Sequence, residues 1–213
     1  MNDKRVLRIC RALDIKSTIK YNDHSCTRHA KDPQYVAENL PDRNFHADKP
    51  NEKWLTDVTE LKWYEGVKVH KLYLSAIPDL FDRRIVSYVL SERNDNPLVF
   101  KTFDKAVKAC PDAHPLFHSD RGFQYTNRTF HSKLVQAGMT QSMSRVAHCI
   151  DNGPMEGFRG ILKRERYYGR RFTAKQELAQ MIHNYIHYYN TGRVQRNLGV
   201  LTPMEKHSLY SAA

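Results

Sequence analysis

Paired cysteines are missing from this chain. Cys10, Cys26, Cys110 and Cys149 are its only four, none in C-x-x-C spacing, so neither a disulfide framework nor a zinc ribbon is indicated and reduced thiols are expected. The segment His24-Ser25-Cys26-Thr27-Arg28-His29 holds three zinc-ligand side chains but no second ligand pair follows at suitable spacing, and eleven histidines make such a cluster easy to obtain by chance. Long apolar runs are absent too. Nothing approaches the roughly 18 residues of a membrane span, and the start Met1-Asn2-Asp3-Lys4-Arg5 lacks the apolar stretch of a signal peptide, so a cytoplasmic protein is expected. Acidic residues are under-represented: 23 Asp and Glu face 34 Lys and Arg, a net charge of +11. That balance suits a polyanionic partner, although ribosomal, membrane-surface and heparin-binding proteins share it.

What is present reads as one core. With 213 residues and 40% hydrophobic side chains, the chain is long enough for one well-buried α/β domain and a small accessory segment. Val6, Leu7, Ile9, Cys10, Leu13 and Ile15 lie among Lys and Arg at helical spacing, predicting a short basic amphipathic helix over 4–15. Residues 16–50 are polar, carry Pro33, Pro41 and Pro50, and read as an arm whose only plausible helical turn is 35–40. The expected division is therefore an N-terminal helix and linker arm over 1–48 and a folded core over 49–213.

Within the core, β-branched and aromatic residues predict strands at 54–63, 68–77 and 84–91, separated by Glu65-Gly66 and Pro78-Asp79 as turns. Asn96-Pro97 signals a helix that Pro111 ends, 116–120 reads as a buried strand, 127–137 as a helix and 139–144 as a fifth strand. A helix should begin near Asp151-Asn152 and run to about 166, and a last long helix over 173–189 has Thr173 and Gln176 in capping-box spacing. This order predicts a mixed five-stranded sheet flanked by helices, with the first and fourth strands side by side.

Three acidic residues stand in distinctive words: Asp57 in Trp54-Leu55-Thr56-Asp57-Val58-Thr59-Glu60, Asp120 in His118-Ser119-Asp120-Arg121-Gly122, and Glu156 in Asn152-Gly153-Pro154-Met155-Glu156. Thirty-five residues separate the second from the third. Neighbouring strands bring the two aspartates together, and a helix across that end of the sheet can add Glu156, giving oxygen ligands suited to two divalent ions. By contrast Asp79 and Asp82 read as ordinary turn formers.

Further words turn the pattern into a family likeness. Asn51-Glu52-Lys53-Trp54, Leu72-Tyr73-Leu74, Asp79-Leu80-Phe81-Asp82-Arg83, Phe123-Gln124-Tyr125, Leu162-Lys163, Tyr189-Asn190 with Arg193, and Leu198-Gly199 with Thr202-Pro203 accompany the three acidic words. The chain resembles the bacterial insertion-sequence transposases made from two overlapping reading frames, specifically the downstream product, which has a retroviral-integrase-type catalytic core. The resemblance covers nearly everything from residue 4 onward. It implies a ribonuclease-H-like α/β fold and a catalytic, metal-binding triad of Asp57, Asp120 and Glu156 holding two Mg²⁺ or Mn²⁺ ions. It also implies strand cleavage and strand transfer on DNA, a homo-oligomer on transposon ends and target, and an upstream helix-turn-helix partner from the same element. A place on the bacterial nucleoid follows. No Ser or Tyr recombinase signature is apparent, in keeping with direct phosphoryl transfer.

Subsidiary sites are expected at Lys163 and Arg164, seven and eight residues after Glu156 on nearly one helix face, as contacts to DNA phosphates. Between Arg145 and Phe172 seven basic residues face three acidic ones. His118 is expected as a second donor behind the metals or as a DNA contact. Tyr185, Tyr188 and Tyr189 are read as packing residues. The pattern departs from the family at Gly157, usually Ser, at Arg159, commonly aromatic, and at His148, usually Asn; Gly153, Gly157 and Gly160 each weaken their helix by roughly 1 kcal/mol relative to Ala. The stretch 4–15 resembles only the last helix of a longer N-terminal region, so the chain is expected to be truncated at its start. That leaves a second expectation open: a transposon remnant that binds DNA or partner subunits without completing transposition.

Overall fold

The computed structural model describes residues 3–15, 33–41, 44–145 and 152–212; His24, Cys26, His29, His148, Cys149 and Asp151 lie outside them. Helix α1 (Asp3–Ala12) ends before the expected limit because Asp14 takes the left-handed conformation, φ 48°. Strand β1 (Lys53–Leu55) passes through the single residue Thr56 into β2 (Asp57–Glu65). A tight turn with Gly66 at φ 58° joins β2 to β3 (Lys68–Pro78), and the positive φ is why glycine stands there. β3 pairs antiparallel with β4 (Ile85–Ser91), while β1, β5 (Leu116–Ser119) and β6 (Thr140–Met143) pair in parallel.

The two ladders are one sheet. Beyond β3, Asp79 bridges to Trp54, and the Leu80 amide donates to the Lys53 carbonyl at 2.9 Å, so the same neighbour flanks both β2 and β1. Strand pairing gives two three-stranded ladders, β4-β3-β2 antiparallel and β1-β5-β6 parallel, and the continuous β1–β2 segment with the Trp54–Asp79 bridge joins them into the mixed five-lane order that the sequence predicts.

Side chains alternate between its faces as a strand period of two requires. Leu55, Leu61, Leu72, Leu74 and Ala76 pack on one side against Met155, Phe158 and Leu162 of α4 (Gly153–Leu162) and Leu178, Ile182 and Tyr185 of α5 (Lys175–Thr191). Trp54, Val58, Tyr73 and Ile77 pack on the other against Leu98, Phe103 and Ala106 of α2 (Asn96–Ala109) and Phe130 and Leu134 of α3 (Arg128–Gln136). The result is a sheet with helices on both faces. Each fully buried Leu, Ile or Phe in these layers contributes about 1.5–3 kcal/mol of apolar burial.

Several local expectations change. The α2 cap is Asp95, whose carboxylate accepts from the Leu98 amide at 3.2 Å, which puts Pro97 at the second helical position. Residues 35–40 form no helical turn. They run extended beside the edge strand β6, held by Met143 N–H to Glu38 O, the Ser142 hydroxyl to the same carbonyl, and Leu40 N–H to Ser142 Oγ. Backbone groups that find partners on a strand edge have no need of a helix. The helix α4 stops at Leu162 and widens into a π-turn over Lys163–Tyr167. At α5 the cap residue is Ala174, and in place of a Thr173–Gln176 box the Glu177 carboxylate accepts from the Thr173 amide. Helix α6 (Pro203–Ser211), which the sequence pattern does not predict, has a complete capping box between Thr202 and Glu205.

Asp79 and Asp82 do occupy a turn, but fully buried. Asp79 accepts from the Asn51 and Phe81 amides, and Asp82 holds Arg84 at 3.3 Å and His207 of α6 at 2.7 Å. Burial, with the neighbouring Asp82, pushes the Asp79 carboxyl up to about 6.

Candidate active site

Asp57 opens β2 and is 5% exposed. Its strand leads out of β1, whose Leu55 pairs with His118 of β5, and the Thr56 amide continues that ladder by donating to the His118 carbonyl at 3.0 Å. Parallel neighbours end at the same edge, so Asp120, just past β5, stands beside Asp57. The turn after β5 fixes it: Asp120 Oδ1 accepts from the Gly122 amide at 2.9 Å. A Cβ on residue 122 would lie 3.0 Å from that oxygen, so any side chain there would press on the Asp120 carboxylate.

Glu156 arrives from the helix side, in the first turn of α4. Pro154 fits that turn because it lacks an amide hydrogen the helix cannot use, and buried Met155 anchors the helix in the core. Asn152 ties the helix start to the strand junction, its Nδ2 donating to the Thr56 carbonyl at 3.3 Å. Its Oδ1 is buried without a hydrogen-bond partner.

Asp57 feels both other carboxylates. Burial pushes the Asp57 carboxyl up to about 7; Arg159 opposes this, Asp120 and Glu156 add to it, and the Val58 amide, donating to Oδ1 at 2.7 Å, works against it. Arg159 is the residue to which the sequence assigns no role. Its Nη1 lies 2.6 Å from Asp57 Oδ2 and its Nη2 3.7 Å from Glu156 Oε1. The i,i+3 spacing of Glu156 and Arg159 is the one signal of this contact that the sequence carries. Among the described residues no three His, Cys, Asp or Glu side chains stand at metal-ligand spacing.

The expectations at His118, Lys163 and Arg164 fare differently. His118 shares β5 with the site but is 2% exposed, with Nδ1 3.0 Å from Ser142 Oγ and Nε2 3.1 Å from Ser144 Oγ. A ring enclosed by two hydroxyls does not reach DNA, so it braces β5 against the β6 end. Lys163 is half-buried and Arg164 exposed; both belong to the π-turn, so the 3.6-residue count from Glu156 does not carry through to them unchanged. Tyr185 and Tyr189 are buried packing residues as expected, and Tyr188 is exposed beneath Arg166.

Comparison with known proteins places the chain in a family and a fold. The integrase core domain family matches residues 47–149 and 156–208. An uncharacterized transposase-like protein of Haemophilus influenzae is 41% identical over 204 residues, 96% of this chain and 92% of that protein. The chain belongs to the insertion-sequence transposases. The putative transposase InsK of insertion sequence IS150 from Escherichia coli is likewise 41% identical, over 96% of this chain and 71% of its own length. The HTLV-2 integrase catalytic core domain, solved with magnesium, superposes with a TM-score of 0.57 at 17% identity over 76% of this chain and 99% of that one. The simian T-cell lymphotropic virus intasome matches with a TM-score of 0.62 at 17% identity, over 92% of this transposase and 66% of the viral chain. The fold is thus ribonuclease-H-like.

Proposed function

We propose that this transposase carries out metal-dependent cleavage and strand transfer of DNA, with Asp57, Asp120 and Glu156 as its catalytic carboxylates. The observation that carries the reading is the meeting of two strand ends and one helix start at Asp57, a buried carboxylate that Asp120 and Glu156 both repel. The donor set fits Mg²⁺ or Mn²⁺: three hard carboxylates, with the unpartnered buried Asn152 Oδ1 on the residue that ties the start of α4 to Thr56. When bound, such ions lower the pKa of an attacking water or 3′-hydroxyl and stabilise the departing oxygen.

The chain's own residues prepare that chemistry. Asp57 and Asp120 fix the strand side and Glu156 the helix side, while the Gly122 amide orients Asp120 and Asn152 keeps α4 docked on the strand junction. The chain's net charge of +11 attracts the phosphate backbone, and Lys163 and Arg164, in the π-turn that follows α4, are proposed phosphate contacts. An arm over 1–48, a catalytic core over 49–213, assembly as a homo-oligomer on DNA with an upstream helix-turn-helix partner, and a place on the cytoplasmic nucleoid belong to the same proposal. No helix among the described residues is long and apolar enough to cross a membrane.

The test is cleavage of transposon-end DNA in Mg²⁺ by the chain with its upstream partner. Asp57→Asn, Asp120→Asn and Glu156→Gln should each lower the rate at least about a hundredfold, because each removes charge stabilisation worth several kcal/mol. Undiminished cutting by any of the three overturns its assignment.

A further inference from the structure

Arg159 occupies the ground a metal ion needs. Its two terminal nitrogens go to different carboxylates, Nη1 to Asp57 Oδ2 at 2.6 Å and Nη2 toward Glu156 Oε1 at 3.7 Å. Asp57 Oδ1 accepts from the Val58 amide and Oδ2 is held by the guanidinium, so a cation that takes Oδ2 competes directly with Arg159. The pair is shielded, with side-chain exposures of 22% for Arg159 and 8% for Asp57. Water therefore competes with this contact less than at a surface ion pair. A divalent ion and a guanidinium on the same carboxylate oxygen repel each other and overlap.

We infer that Arg159 is a built-in counter-cation that bridges Asp57 to Glu156 and must swing away before a divalent ion can bind between them. The inference rests on the carboxylate reading above and adds a gating residue to it. The bridge compensates two of the three carboxylates, so the carboxylates can be held together before metal arrives. Leaving is feasible because Arg159 is flanked on α4 by Gly157, whose Cβ position has nothing within 4 Å, and by Gly160, so the neighbouring positions present no side chains of their own to hold it. Apparent metal affinity is then reduced by the fraction of molecules in which the arginine has moved.

Mn²⁺ titration of the full chain, followed by calorimetry and by the loss of the free-ion electron paramagnetic resonance signal, tests this without any DNA. If Arg159 is withdrawn in about one molecule in ten, Arg159→Gln binds Mn²⁺ about tenfold more tightly than the unaltered chain. Arg159→Lys keeps the charge but loses the two-pronged fork and falls between them, and it carries the test if the glutamine variant does not fold. Equal or weaker Mn²⁺ binding by the folded Arg159 variants, with Asp57→Asn losing the ion, overturns the gating role alone. Mn²⁺ binding that survives Asp57→Asn undiminished overturns the carboxylate reading and the gate with it.

Discussion

Asp57→Asn should gain stability relative to the unaltered metal-free protein as pH rises. The folded chain holds the Asp57 proton up to about 7, against 3.8 for the ordinary carboxyl, chiefly because burial penalises the charge. Between those values the folded state binds more protons than the unfolded one. Stability linked to this group is therefore fully present below 3.8 and lost as pH climbs toward 7. A one-proton difference between the two states is worth about 1.4 kcal/mol for each pH unit crossed, and from pH 5 to pH 7 that sets a ceiling of about 3 kcal/mol on the pH-linked loss. Arg159 has already been counted, since its attraction lowers the same carboxyl.

The asparagine cannot ionise, so the variant escapes this loss whatever the fixed cost of the substitution. For a chain of this length 1 kcal/mol moves the midpoint about 2–4 °C. Thermal melts in chelator at pH 5 and pH 8 should show the difference between variant and unaltered protein widening toward the higher pH, by at most about 6–12 °C. Asp79, pushed up to about 6 by burial, titrates in both proteins and cancels from that difference. A gap that stays constant or narrows from pH 5 to pH 8 refutes the argument that Asp57 is held in the fold at an ionisation cost.

Other tests address separate links. Gly122→Ala places a Cβ 3.0 Å from Asp120 Oδ1, so DNA cleavage should fall at least about tenfold while circular dichroism stays native; full activity would show that the close approach is unimportant. Thr202→Ala removes the hydroxyl that accepts from the Glu205 amide at 3.2 Å and should destabilise the chain by about 1 kcal/mol in urea melts, with no effect on cleavage per folded molecule. Binding of this chain alone to random duplex should weaken steeply, at least about tenfold, between roughly 50 and 200 mM salt, and a flat salt response would exclude phosphate contacts as its source.

How far the sequence reaches is clearest strand by strand. The alternation Leu72, Leu74, Ala76 against Tyr73, Ile77 assigns both faces of β3 correctly because each face has its own helices to bury against. The placement of Asp57, Asp120 and Glu156 at element ends is legible because strand and helix signals are strong there. Asp79 and Asp82 are legible as turn residues but not as buried ones, since their partners, the Asn51 amide, Arg84 and His207, come from segments up to 125 residues away. The helical turn expected at 35–40 does not form for the same reason: its backbone is satisfied by Ser142 and Met143, which no local pattern encodes. Arg159 stands out in the sequence as a departure from the family pattern, but only the meeting of α4 with β2 gives it a partner.

That meeting also explains why the strand pauses at Thr56. A strand interior uses both backbone groups of every residue in its ladders, yet here the Thr56 carbonyl is held by the Asn152 side chain while its amide still serves β5. The junction thus gives up one ladder position to dock the helix that carries Glu156. With the start of α4 fixed to the residue before Asp57, the helix and strand carboxylates share one reference point, and small motions of the sheet move them together. The arrangement leaves like charges close to a buried aspartate, which opposes stability wherever Asp57 is ionised without a cation. A guanidinium reaching both Asp57 and Glu156 compensates that repulsion from within the chain, and so the same interaction that keeps the carboxylates together must be broken when a metal ion takes its place.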